Sequence, residues 1–135
     1  MKLSLNWLND YIKHGLSPEN LAERLTMAGH EVKNIERVGG DEVFEIEITP
    51  NRPDCLNTLG LAREVSAITQ KPLKFPNRSS LKLPKSTCSI TIESKEDCSR
   101  YVGVVIEGVT IGKSANFIAE RLASVGLRTI NSAVS

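Results

Sequence analysis

The sequence predicts an α+β fold, a small three-helix module built around a β-hairpin, and three observations carry that reading. Phe44, Ile46 and Ile48 alternate with Glu45, Glu47 and Thr49, the period-two pattern of a half-buried strand. Two stretches, 17–29 and 54–69, combine helix-start residues with apolar stripes of helical period. Between Val38 and Val43 stands Gly39-Gly40-Asp41-Glu42, which permits a chain reversal.

Taken in order, Ser4 is placed to cap a first helix in which Leu5, Leu8 and Ile12 form one seam. Trp7 and Tyr11 lie one turn apart beside that seam, a spacing for packing, and His14-Gly15 ends the helix. Ser17-Pro18-Glu19 then supplies a cap, a proline at the first helical position and an acid in the first turn. Leu21, Leu25 and Ala28 face inward, and Gly29 is a left-handed stop. Val32, Ile35 and Val38 predict the first arm of the hairpin, with Val43–Thr49 as its second.

Pro50 and Pro53 fix two φ angles and push Thr49 and Arg52 toward extended geometry, so the following loop is stiff. Asp54 is placed to cap a third helix whose stripe is Leu61, Val65 and Ile68, supported by Leu56, Leu59 and Ala62. Gln70–Ser86 carries Lys71, Lys74, Arg78, Lys82 and Lys85, three prolines and no acid, which reads as a basic spacer. Beyond it Cys88, Ile90 and Ile92 alternate with polar residues, and Tyr101–Ile106 is a second extended run that Val109 and Ile111 continue. Ser114 is placed to cap a last helix containing Phe117, Ile118 and Leu122 and stopped at Gly126.

The expected organisation is a helical module with a hairpin over residues 1–75, a linker over 76–86 and a strand-strand-helix piece of an incomplete second domain over 87–135. About fifty residues are too few for a comfortable core. The second piece is therefore expected to be a fragment of a longer chain, with an apolar edge that needs partner strands.

With 40% apolar and 24% charged residues the composition is that of a folded chain, and a formal charge of +1 gives no global pull toward nucleic acid. Cys55, Cys88 and Cys98 have no CxxC spacing, and neither His14 nor His30 sits beside a cysteine in the sequence, so no disulfide framework or metal site is expected. No apolar run approaches the roughly 18 residues that span a bilayer, and the expected compartment is the cytoplasm.

No residue is assigned a catalytic role. Gly39-Gly40 lacks the lysine and helix that a phosphate loop needs, and Glu45 and Glu47 fall on one solvated strand face. Asn51 and Arg52 are the candidate binding residues, because a stiff turn lets a guanidinium dock to a carboxylate or phosphate with little loss of chain entropy. A tie from Arg52 to a carboxylate or carbonyl of its own domain is favoured over an external contact, and Arg63 with Glu64 reads as a helix-surface pair. The echo of Leu21–Leu25 with Gly29 in Ile118–Leu122 with Gly126 reads as two independent amphipathic helices with glycine stops.

The block Ile48-Thr49-Pro50-Asn51-Arg52-Pro53-Asp54-Cys55-Leu56-Asn57, followed by Leu59-Gly60 and Ala62-Arg63-Glu64, resembles the N-terminal part of the beta subunit of bacterial phenylalanyl-tRNA synthetase. Ser4-Leu5-Asn6-Trp7-Leu8, Leu25-Thr26-Met27-Ala28-Gly29, Glu31-Val32, Arg100-Tyr101 and Gly126–Asn131 extend the resemblance along nearly the whole chain apart from the linker. The resemblance implies an α+β region that contributes architecture and tRNA contact to a ligase. Its alpha subunit uses ATP and magnesium, and its beta subunit carries an editing site further on. This chain departs from the family in three places: Gly39–Glu42 stands where many members insert an oligonucleotide-binding barrel, Asn57 where serine is common, and Ser132–Ser135 where the matching segment usually ends in NVVD. A different class of reading is a free-standing helix-turn-helix-like nucleic-acid module built on the first two helices, whose second helix offers Glu19 and Glu23 against only Arg24.

Overall fold

The computed structural model describes residues 1–75 and 88–134, so the expected linker, 76–86, lies outside the described residues. Its elements are β1 (Lys2–Ser4), α1 (Leu5–Leu8), α2 (Pro18–Met27), β2 (Val32–Val38), β3 (Asp41–Ile46), a single 3₁₀ turn (Pro53–Cys55), α3 (Thr58–Thr69) and α4 (Asn116–Ser124). The fold class is α+β, with an antiparallel three-stranded sheet ordered β1-β3-β2.

The hairpin forms around the expected glycines, but its second arm is Asp41–Ile46 in place of Val43–Thr49, because Asp41 and Glu42 pair with Val38 and Arg37 instead of turning. Val38 pairs with Asp41, leaving Gly39 and Gly40 as a two-residue loop. Their φ angles are +57° and +82°, the left-handed pair that such a turn demands and that side chains resist. β1 adds to the other side of β3, Leu3 opposite Phe44. Nothing local foretold it, since three residues are too few to display a period.

Leu3, Phe44 and Ile46 join Leu5, Leu8, Ile12, Leu21, Leu25, Cys55, Leu61, Ala62 and Val65 in one core between the sheet and the first three helices. Ala28 and Leu56, both expected inside, are exposed. Each lies outside its helix: Ala28 is the C-cap of α2, and Leu56 sits between the 3₁₀ turn and α3.

The first helix is shorter than its seam suggested. After Leu8 the chain continues as turns in which the Tyr11 and Ile12 amides donate to the Leu8 carbonyl at 3.0 and 3.1 Å, and the seam stays buried. Ser4 does cap it, accepting from the Trp7 amide at 3.0 Å. The Ser4 hydroxyl also donates to the buried carboxylate of Asp41, which accepts from the Asn6 amide at 3.0 Å. The first residue of β3 thus ties the start of α1 to the hairpin. With four residues in α1, the two full helices of a helix-turn-helix are not formed.

Ser17 caps α2, accepting from the Asn20 amide at 3.3 Å, with Pro18 at the first position. Gly29, at φ +94°, ends it and lets His30 N–H return to the Leu25 carbonyl at 2.9 Å. The same stop recurs at Gly126, φ +80°, with Leu127 N–H on the Leu122 carbonyl at 2.8 Å. The resemblance between the two helices ends there: α2 buries Leu21 and Leu25, whereas α4 buries only Ser124. Ala115, not Ser114, precedes α4, and the Ser114 hydroxyl donates to the Asn131 carbonyl at 2.9 Å.

The two extended runs expected at Cys88–Ile92 and Tyr101–Ile106 do not form strands among the described residues. A strand is held by a neighbour's backbone, and the alternation of these residues supplies a face without supplying that neighbour. Tyr101, Val102, Val104, Val105 and Ile106 are all more than half exposed. Among the described residues, no helix is long and apolar enough to cross a membrane.

Candidate functional site

The proline-braced turn is a β-turn closed by the Arg52 amide on the Thr49 carbonyl at 2.9 Å, with Pro50 and Asn51 at its tip. Asn51 is exposed. Arg52 points back into the protein: its Nε and Nη2 donate to the two carboxylate oxygens of Asp54 at 3.0 and 2.9 Å. The same Nη2 donates to Glu64 Oε1 at 2.6 Å and to Cys55 Sγ at 3.2 Å. The internal tie expected for Arg52 is therefore present, and it reaches two carboxylates.

Glu64 is not the partner of Arg63 on a helix surface. It sits one element away from Arg52 and holds it from α3, while its Oε2 lies 3.4 Å from His30 Nε2. His30 is buried, with no partner for Nδ1 among the described residues. Sequence reasoning missed His30 and Glu64 because they lie 34 residues apart, and no local spacing announces such a pair.

The electrostatics follow from the fork. The Arg52 hydrogen bond holds the Asp54 carboxyl down to about 2 and lowers Glu64 against the opposing cost of its partial burial. Burial and the neighbouring Asp54 push the Cys55 thiol up to about 11, so it stays protonated at neutral pH. His30, Cys55 and Glu64 offer ligand atoms within 4.8 Å of one another, a donor set of metal-binding type. The Arg52 guanidinium already donates to two of the three, and a protonated thiol is a poor metal ligand. The cluster is an arginine clasp that joins the turn to α3, with His30 of the segment after α2 beside Glu64.

Below the clasp, Asp54 does not cap α3. Asn57 does, its Oδ1 accepting from the Gly60 amide at 2.8 Å while its Nδ2 donates to the Asp54 carbonyl at 3.2 Å. A serine could make the first bond and not the second. Asn57→Ala is expected to lower stability by about 1 kcal/mol, read as a fall in the urea midpoint, with Asn57→Ser losing less.

No family model matches the chain. A phenylalanine–tRNA ligase beta subunit from Rhodopirellula baltica is 37% identical to it over 137 residues, which take in 99% of this chain. The chain belongs to the phenylalanine–tRNA ligase beta-subunit family. Beta subunits from Aquifex aeolicus and Thermotoga maritima are 45% and 39% identical over 96 and 105 residues, or 70% and 76% of this chain. The chain spans 20% of the length of the Rhodopirellula beta subunit, 12% of the Aquifex one and 13% of the Thermotoga one. An alignment of 137 residues across 99% of a 135-residue chain leaves room for only short gaps. The Rhodopirellula beta subunit, like this chain with its two-glycine turn, therefore has no barrel-sized insertion within the matched stretch.

Proposed function

We propose that this chain forms the N-terminal part of the beta subunit of a phenylalanine–tRNA ligase, contributing architecture to the ATP- and magnesium-dependent attachment of phenylalanine to tRNA. Residues 1–75 act as a helical module, 76–86 as a basic linker, and 87–135 open an editing-type domain. The alpha subunit is the partner that carries the amino-acid and ATP chemistry. The region itself holds no catalytic site, meets tRNA through the whole enzyme, and works in the cytoplasm away from membranes. Asn51, exposed at the tip of the turn, is the residue offered to a neighbouring subunit or RNA, with Arg52 fixing the turn that presents it.

The observation that carries this reading is the 37% identity to a ligase beta subunit across 99% of the chain. The exposed apolar run at Tyr101–Ile106 supports it, because an extended apolar segment of this kind would be covered by pairing with further strands of a larger beta subunit. Co-expression with a phenylalanine–tRNA ligase alpha subunit tests it. The alpha subunit is expected to co-elute with the chain, while the chain alone charges no tRNA when given phenylalanine, ATP and magnesium. Aminoacylation by the chain alone, or an alpha subunit that elutes separately, would overturn it.

A further inference from the structure

A groove of about 700 Å³ runs between the turns after α1 and the chain leaving α3, lined by Asn9–Lys13, Pro72, Lys74, Phe75 and Arg121. Its geometry is set by the backbone: the Lys74 amide donates to the Tyr11 carbonyl at 2.7 Å, pinning the exit of the module against the end of the first helical turn. At one end Arg121 pairs with Asp10 and lies 5.7 Å over the Trp7 ring and 5.8 Å over the Phe117 ring, so its charge is already engaged.

Lys13 and Lys74 are different. Both are exposed, and among the described residues neither has an ion-pair partner. Phe75, which lines the same groove, is 63% exposed, so an aromatic face and two unpaired ammonium groups share it.

We propose that this groove is an RNA contact in which Lys13 and Lys74 take phosphodiester oxygens and Phe75 stacks on a base. Free cations beside an open aromatic ring are the parts from which single-strand sites are made. A net charge of only +1 means that the attraction is local to these side chains and not a property of the whole surface. The choice of RNA over another polyanion rests on the ligase-subunit reading, and it names a surface other than the Asn51 turn.

The test is fluorescence anisotropy of the 135-residue chain with a fluorescein-labelled, mixed-sequence single-stranded RNA of about 12 nucleotides, titrated at several salt concentrations. Removing two phosphate contacts in Lys13→Ala/Lys74→Ala is expected to weaken binding about tenfold and to flatten the salt dependence by about 1.4 in the log-log slope. Phe75→Ala is expected to weaken binding by a similar factor, about tenfold, without changing the slope. Lys113→Ala, exposed and outside the groove, changes neither. All three groove positions are exposed, so far-UV circular dichroism is expected to match the parent.

Absence of RNA binding, equal loss in Lys113→Ala, or competition by polyglutamate as effective as unlabelled RNA of the same charge would each overturn the proposal. Co-elution of the alpha subunit does not depend on these side chains. An unchanged RNA affinity in the groove variants removes the groove alone, whereas loss of co-elution in the parent removes the ligase-subunit reading.

Discussion

Gly60→Ala is expected to destroy the native packing of the module. A Cβ built at Gly60 would stand 1.9 Å from the Asp54 carbonyl oxygen, 2.9 Å from its carbon and 3.2 Å from Cys55 Cα. All three are backbone atoms, so no rotamer change relieves the clash. Either α3 must retreat from the core or the 3₁₀ turn must open. The first withdraws Leu61, Ala62 and Val65; the second pulls Cys55 out and dismantles the Arg52 fork. Overpacking usually costs about 1–3 kcal/mol when side chains can yield. Here the expected loss is at or above the top of that range, a large share of the 5–15 kcal/mol that holds a typical domain. Urea unfolding measures it, with Gly112→Ala as control because nothing lies within 4 Å of that position. A Gly60→Ala midpoint equal to that of the control would refute the close approach of turn and helix.

The second large effect is on acid stability. Asp54 is held down to about 2 from its ordinary 3.8, and Glu64 is lowered from 4.5, in both cases first by the hydrogen bond from Arg52. Carboxyls with depressed folded-state values bind fewer protons folded than unfolded, so stability rises with pH through this range. Their contribution is complete above about pH 5 and is lost as pH falls toward 2. Arg52→Met removes the donor and with it the largest cause of both depressions. The variant is therefore expected to be less stable than the parent at pH 7, with the gap closing as both are taken to pH 2. Urea midpoints at half-unit pH steps across this window give the comparison. Parallel curves for parent and variant would mean that Arg52 does not hold the two acids. The Asp54 and Arg52 side chains are open enough to solvent that salt is expected to narrow the gap.

How far the site could be read from the chain depends on how local each device is. The stiffness of the turn is written in Pro50 and Pro53, and the inward tie of Arg52 follows from a stiff turn beside Asp54, two residues away. The second half of the clasp is another matter. Pairing Glu64 with Arg63 fails on helix geometry, since adjacent helical side chains do not face each other, and the contacts Glu64 does make, with Arg52 and His30, span 12 and 34 residues. The cap of α3 was displaced from Asp54 to Asn57 for a similar reason. Both residue types cap helices, and the close seat of Gly60 against Asp54 leaves Asn57 as the side chain that reaches the Gly60 amide.

The sequence alone determined the elements whose causes lie within one or two turns: the Gly39-Gly40 reversal, the alternation that turns Phe44 and Ile46 inward, the Ser17 start and Gly29 stop of α2, and the apolar stripe of α3. It also carried the family, since identity is a property of the chain itself. Only the tertiary structure decided that Lys2–Ser4 becomes a strand, that His30 and Cys55 meet beside Glu64, and that Tyr101–Ile106 stays unpaired among the described residues. Those outcomes turn on whether a partner distant in sequence lies against the segment. A side chain's own neighbours record its preferences, but a sheet edge or a buried charge is settled by whatever the fold brings against it.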